Sequence, residues 1–107
     1  MLRVIHFYNL KEGADKERMQ HIADHEYAEY AKQFGCIRRK TWRFLDARAG
    51  GQPAESPEYM TEALWPSLKQ AEAFTHADRP KEVREWWGEM MAGIQVVKSV
   101  RYVDEGG

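Results

Sequence analysis

Tyr59-Met60-Thr61-Glu62-Ala63-Leu64-Trp65 is a short run of aromatic and β-compatible residues, stopped by Pro66 and followed by Ser67, a helix cap. A strand feeding a helix is the reading, and the rest of the chain is arranged around it. The helix predicted from Ser67 sets Leu68, Ala71, Phe74 and Thr75 on one face, and His76-Ala77-Asp78-Arg79-Pro80 turns the chain. Pro80 suits the first turn of a second helix, where its missing N–H costs nothing. In that helix Val83, Trp86, Trp87, Met90, Met91 and Ile94 fall within a stripe about 140° wide at about 100° per residue. Such a stripe ordinarily forms core; the sharper reading is that part of it lines a pocket.

The 107 residues suit a single domain over 1–107, small enough that association would help bury more surface. Charged residues make up 31% but the net charge is only −1, which argues against nucleic acid or an anionic membrane as partner. No run approaches the roughly 18 apolar residues that span a bilayer, and the start lacks a signal-peptide pattern. A soluble cytoplasmic protein is expected. The single Cys36 cannot form an internal disulfide, and no zinc-type spacing occurs, so no metal site is expected.

Leu2 to Leu10 reads as the first strand, with Val4, His6 and Tyr8 alternating against Arg3, Ile5, Phe7 and Asn9. Large apolar groups on both faces predict that both are covered, one by helices and one by a second subunit. Asp15 is a credible cap for a helix running to Phe34 and ended by Gly35, with Met19, Ile22, Ala23, Tyr27, Tyr30, Ala31 and Phe34 on its buried face. Glu26 falls inside that face, where an unpaired carboxylate would cost several kcal/mol or take up a proton. It is therefore the foremost catalytic candidate, against the plainer reading of a pocket-rim or arginine-paired residue. His21 and His25 stand four apart, a metal-compatible spacing, but sit near the polar side and read as solvated.

Cys36 to Leu45 reads as the second strand, with Arg39, Thr41 and Arg43 on one face and Arg38, Lys40, Trp42 and Phe44 on the other. Its charge suits a protected edge, while Arg39 is placed to face Glu26 or to clamp a substrate carboxylate. Ala47 to Pro57, with Gly50, Gly51, Pro53 and Pro57, reads as a surface loop, and Gln95 to Val103 as the last strand before a disordered polar tail.

Two successive βαβ units predict an α+β, ferredoxin-like split βαβ-βαβ fold: a four-stranded antiparallel sheet with helices on one face, dimerising into an α+β barrel. Three stretches carry a resemblance over nearly the whole chain: Phe7-Tyr8-Asn9-Leu10-Lys11-Glu12-Gly13, Phe34-Gly35-Cys36-Ile37-Arg38-Arg39, and Ala63-Leu64-Trp65-Pro66-Ser67. On them the chain resembles the dimeric α+β barrel proteins, most nearly the EthD-like and stress-responsive barrel groups. The resemblance implies a homodimer and a cavity between sheet and helices. It leaves the reaction open among polyketide cyclases, lactone isomerases, sugar mutarotases, cofactor-free monooxygenases and haem-degrading enzymes. Glu26 stands where EthD-like proteins often carry a histidine, and Phe74 stands where plant-type polyketide cyclases carry a tyrosine. Val83-Arg84-Glu85-Trp86-Trp87 is similar to the second helix of rhamnose mutarotases, but His21 is one place out of their register. Asn9, Trp86 and His76 do not match the haem-degrading spacing.

Alternation and the resemblance together put Val4, His6, Tyr8, Arg39, Thr41, Tyr59, Thr61, Glu26 and Trp86 around the cavity, with His76 a further substrate-binding candidate. That inventory suits cofactor-independent proton transfer on a carbonyl-bearing aromatic, polyketide-like or lactone metabolite. Glu26 would be the base, His6 the acid, Tyr8 or Tyr59 the donor to a developing oxyanion, and Arg39 the anchor for an anionic group. The alternatives are a cofactor-free monooxygenase of phenols or anthrones, and a non-catalytic ligand-binding stress protein.

Overall fold

The computed structural model describes residues 1–105. Strand β1 (Leu2–Leu10) leads into a long helix in three parts: α1 (Lys16–His21), a π-helical turn (Ile22–Glu26) and α2 (Tyr27–Lys32). Then follow β2 (Arg38–Arg43), a small hairpin of β3 (Arg48–Ala49) and β4 (Gln52–Pro53), β5 (Tyr59–Trp65), α3 (Leu68–His76), α4 (Lys81–Gly93) and β6 (Ile94–Val103). The main sheet has the order β2-β5-β1-β6 with every neighbouring pair antiparallel. This is the ferredoxin-like arrangement with its helices on one face.

Local chemistry sets the element ends. The Asp15 carboxylate accepts from the Arg18 backbone N–H, and the Ser67 hydroxyl accepts from that of Gln70. Gly35, at φ +98°, allows the turn out of the first helix that a side chain would oppose. Gly50 and Gly51, both at positive φ, make the tight turn that converts the expected loop into the β3–β4 hairpin. Strand β2 is shorter than Cys36 to Leu45, although Ile37 N–H still donates to Leu64 and Phe44 N–H to Glu58 just beyond its ends. After Val103, Asp104 accepts from the N-terminal ammonium at 2.8 Å. The expectation of a disordered tail falls partly on Gly106 and Gly107, which lie outside the described residues.

The sheet faces differ. Leu2 and Tyr8 of β1 and Tyr59, Thr61, Ala63 and Trp65 of β5 are buried on the helix side, where Leu2, Ala63 and Trp65 share a core with Ile22, Tyr27, Tyr30, Ala71, Phe74, Val83 and Met90. Ile5, Phe7, Met60, Leu64, Trp42 and Val100 alternate onto the other face, which no element among the described residues covers. There Glu62 sits between Arg3 (3.2 Å) and Arg38 (3.8 Å), and Lys40 lies over the Trp42 ring.

The helix predicted from Asp15 to Phe34 is thus interrupted. In the turn from Ile22 to Glu26 the N–H of Tyr27 reaches back to the carbonyl of Ile22, the five-residue bond that fits an extra residue into a turn. Ile22 itself is fully buried at the helix–sheet contact. Ile22→Ala is expected to destabilise the fold by about 3 kcal/mol, from lost burial plus the cavity left behind, as read by urea unfolding.

Candidate functional site

Two cavities lie between the sheet and its helices. The smaller, of about 110 Å³, is mostly apolar, with Met19, Ala23, Met90, Met91, Ile94 and Val96 supplementing His6, Tyr8 and Thr61. The larger, of about 510 Å³, has a polar end made by Glu72, Thr75, His76, Arg79, Ser99 and Arg101. His6, Tyr27, Arg39 and Trp87 line both. These four residues come from β1, α2, β2 and α4, so the site depends on the whole fold.

Strand register explains the sheet side. His6 pairs with Thr61 on one neighbour and Ser99 on the other, and Tyr8 pairs with Tyr59. His6 Nδ1 lies 2.6 Å from Ser99 Oγ, so an Nδ1–H donating to that hydroxyl makes Nε2 the basic nitrogen. Burial, and secondarily the Arg39 charge, hold the His6 pKa below its ordinary value and favour the neutral ring. The Tyr8 and Tyr59 rings stack at 5.4 Å. Burial pushes the Tyr8 phenol up to about 12 although Arg39 opposes it, so it is a hydrogen-bond donor at neutral pH.

Arg39 donates to the carbonyl of Ala23 in the π turn and lies 3.8 Å from the centre of the Tyr27 ring. Burial lowers its pKa from the usual arginine value, but the neighbouring tyrosines oppose this. A guanidinium starting so high remains charged. Burial likewise raises the Tyr27 phenol, with Arg39 and Arg79 opposing. Thr41 donates to Asp24 at 2.9 Å, adding a second link from β2 to the π turn.

Of the residues expected at the site, His6, Tyr8, Arg39 and Thr61 meet at the smaller cavity. Tyr59 is buried behind Tyr8, and His76 stands at the exposed polar end of the larger cavity, paired with Glu72. Glu26 and Trp86 are elsewhere. Both line a surface groove between the first helix and α4, where Glu26 pairs with Arg18 at 3.2 Å and not with Arg39. The extra residue in the π turn carries Glu26 off the sheet-facing side that a uniform helical repeat assigns it. Trp87 takes the place expected of Trp86, and Trp86 packs over Tyr27 and Tyr30.

Ser99, Trp87 and Arg79 were not singled out by sequence. Trp87 was in the apolar stripe, but two adjacent tryptophans are hard to tell apart by angle alone. Ser99 becomes informative only through its cross-strand partner, and Arg79 only through where the α3–α4 connection places it. Among the described residues no three His, Cys, Asp or Glu side chains form a metal-holding group. Cys36 is buried, with its thiol toward the carbonyls of Arg38 and Leu64.

No family model and no curated protein matches the chain. Solved structures do. HapK from Hahella chejuensis is similar over 100% of this chain and 95% of its own, with a TM-score of 0.70 and 15% identity. An EthD-like protein from Ralstonia eutropha JMP134 covers 97% of this chain and 93% of its own, at 0.61 and 18%. SnoaB from Streptomyces nogalater, a cofactor-independent oxygenase, covers 99% and 94%, at 0.60 and 9%. At these identities the likeness shows a shared ferredoxin-like fold.

His6 also makes the site visible in stability. Its folded-state pKa lies below its ordinary value, so as pH falls the unfolded chain takes up the proton first. Wild type should therefore lose stability as pH falls from about 6.5 toward the folded pKa, a loss absent above neutrality. Urea unfolding between pH 8 and 5 should show that component missing from His6→Gln, and the imidazole proton resonances should titrate with a midpoint below that of free histidine.

Proposed function

We propose that this chain is a cofactor-independent enzyme that moves a proton on a carbon beside a carbonyl, in a small apolar or aromatic metabolite. The observation that carries this reading is His6, held neutral where an apolar cavity meets an arginine-bearing one, with Ser99 fixing one ring nitrogen. The base is therefore His6 and not Glu26, and the acid is the same imidazolium once charged. His6 takes the proton as the C–H pair becomes an enolate, and the Tyr8 hydroxyl and Arg39 guanidinium stabilise the developing oxyanion. The resulting imidazolium lies near Arg39, which favours return of the proton to the substrate. Thr61 and Trp87 shape the cavity around the reacting group.

The likeness to a cofactor-independent oxygenase supports a second reading, in which the carbanion made by His6 reacts directly with oxygen. The two separate with simple probes. In D2O the protein should accelerate deuterium exchange at the activated methylene of 2-tetralone, and His6→Gln should slow that exchange by roughly 10²–10⁴-fold. Glu26→Gln should leave it unchanged. Oxygen uptake with an anthrone, without accelerated exchange of the ketone, would move the oxygenase reading ahead.

The open sheet face supports a homodimer closed face to face, since Ile5, Phe7, Trp42, Met60 and Leu64 form an apolar field with the paired Glu62 at its centre. Sedimentation should show a dimer at micromolar concentration, and Phe7→Glu combined with Trp42→Glu should shift it to monomer. A monomeric wild type would defeat this assignment.

A further inference from the structure

Arg39, Tyr27, Trp87 and Arg79 form one series of flat contacts across the wall of the larger cavity. The Arg39 guanidinium lies 3.8 Å from the Tyr27 ring centre, and the Tyr27 and Trp87 rings stack at 5.0 Å and 27°. The Arg79 guanidinium lies 3.8 Å from the Trp87 ring centre. The series ends in two cations. Neither has a carboxylate within 4 Å among the described residues.

The other charges at this end of the cavity already have partners. Arg101 pairs with Glu72 at 2.6 Å, and His76 shares the same carboxylate at 3.0 Å. Arg39 spends one N–H on the Ala23 carbonyl, while Arg79 Nε is buried and has no acceptor. A buried donor on a charged group is costly to leave unmade, and a planar guanidinium matches a carboxylate with two parallel N–H bonds. The rest of the larger cavity's lining, including Val4, Ala63, Trp65 and Phe74, suits an apolar body.

We propose that the site takes an organic carboxylate, its anionic group held by Arg79 and its apolar body lying in the larger cavity beside Phe74 and Trp87, reaching toward His6 and Arg39. This rests on the functional reading above in concerning the same site, and it adds the substrate class and Arg79 as a binding residue. It also answers the buried Arg79 Nε, which has no acceptor among the described residues. A substrate that brings its own negative charge supplies the missing counter-ion.

Binding of 2-naphthoate, followed by quenching of tryptophan fluorescence and by calorimetry, tests this against the isosteric neutral 2-naphthamide. The acid should bind roughly tenfold or more tightly than the amide, and that preference should weaken with added salt. R79Q should lower the affinity for the acid toward that for the amide, while a circular dichroism spectrum unchanged from wild type reports an intact fold. R79K should retain part of the preference, which keeps the test sharp if R79Q folds poorly. Equal affinity for acid and amide would overturn the proposal, as would failure of the acid to bind at millimolar concentration or a preference that survives R79Q. Competition by inorganic phosphate as strong as that by naphthoate would overturn it too, by making this a site for small anions. Because binding is read without turnover, loss of the exchange chemistry would sink the reaction and leave this assignment standing.

Discussion

The hydrogen bond from Arg39 to the carbonyl of Ala23 ties the sheet to the first helix at the one turn where that helix is not α-helical. A guanidinium taken out of water needs an acceptor, and regular α-helix offers few because each interior carbonyl is already bonded within the helix. Widening the turn from Ile22 to Glu26 changes that local pattern, and the Ala23 carbonyl faces the strand arginine. The same contact sets Arg39 on the face of Tyr27, and through Tyr27 it reaches Trp87 on α4. Helix, sheet and second helical layer are thus joined around a single charged group, and the two cavities form on either side of the join.

The fold was legible in the sequence because its signals are local and agree with one another. Alternation in Leu2 to Leu10 and Tyr59 to Trp65, the caps at Asp15 and Ser67, and the glycine that ends the first helix all point to the same topology. The sheet half of the site was legible for the same reason. A period of two assigns faces without ambiguity, so His6, Tyr8, Arg39 and Thr61 could be placed together before any register was known. The helix half was not. A helical wheel assumes a constant angle per residue, and one π turn breaks that assumption for residues near it, so Glu26 was assigned to the cavity and is found in a surface groove beside Arg18. Trp86 and Trp87 show a second limit: neighbours about 100° apart can both fall within a broad apolar stripe, and only packing decides which one faces the sheet.

The correction at Glu26 changes the chemistry more than its scale suggests. With a buried carboxylate as base, the substrate would have to tolerate an anionic site, and Arg39 would be spent neutralising it. With Glu26 outside, the groups shared by the two cavities are one neutral imidazole, a phenol, an indole and a guanidinium. Positive charge then dominates the edge that the two cavities share. Such a field disfavours a protonated histidine, and under the proposed chemistry it would also favour an enolate, so the same arginine would keep the base available and stabilise its product.

That balance also bears on why the site lies on the helix side of the sheet. The outer face of β1, β2 and β5 carries its own charge cluster, but there Glu62 is bracketed by Arg3 and Arg38, so the charges compensate one another. On the inner face Arg39, which lines both cavities, and Arg79, which lines the larger, lack such partners among the described residues, whereas Arg101 is answered by Glu72. Uncompensated charge in a partly desolvated cavity is unfavourable for folding alone. Unpaired charge on the solvated surface costs little, but here it lines a cavity beside a neutral histidine, which is the physical argument for the anionic ligand proposed above.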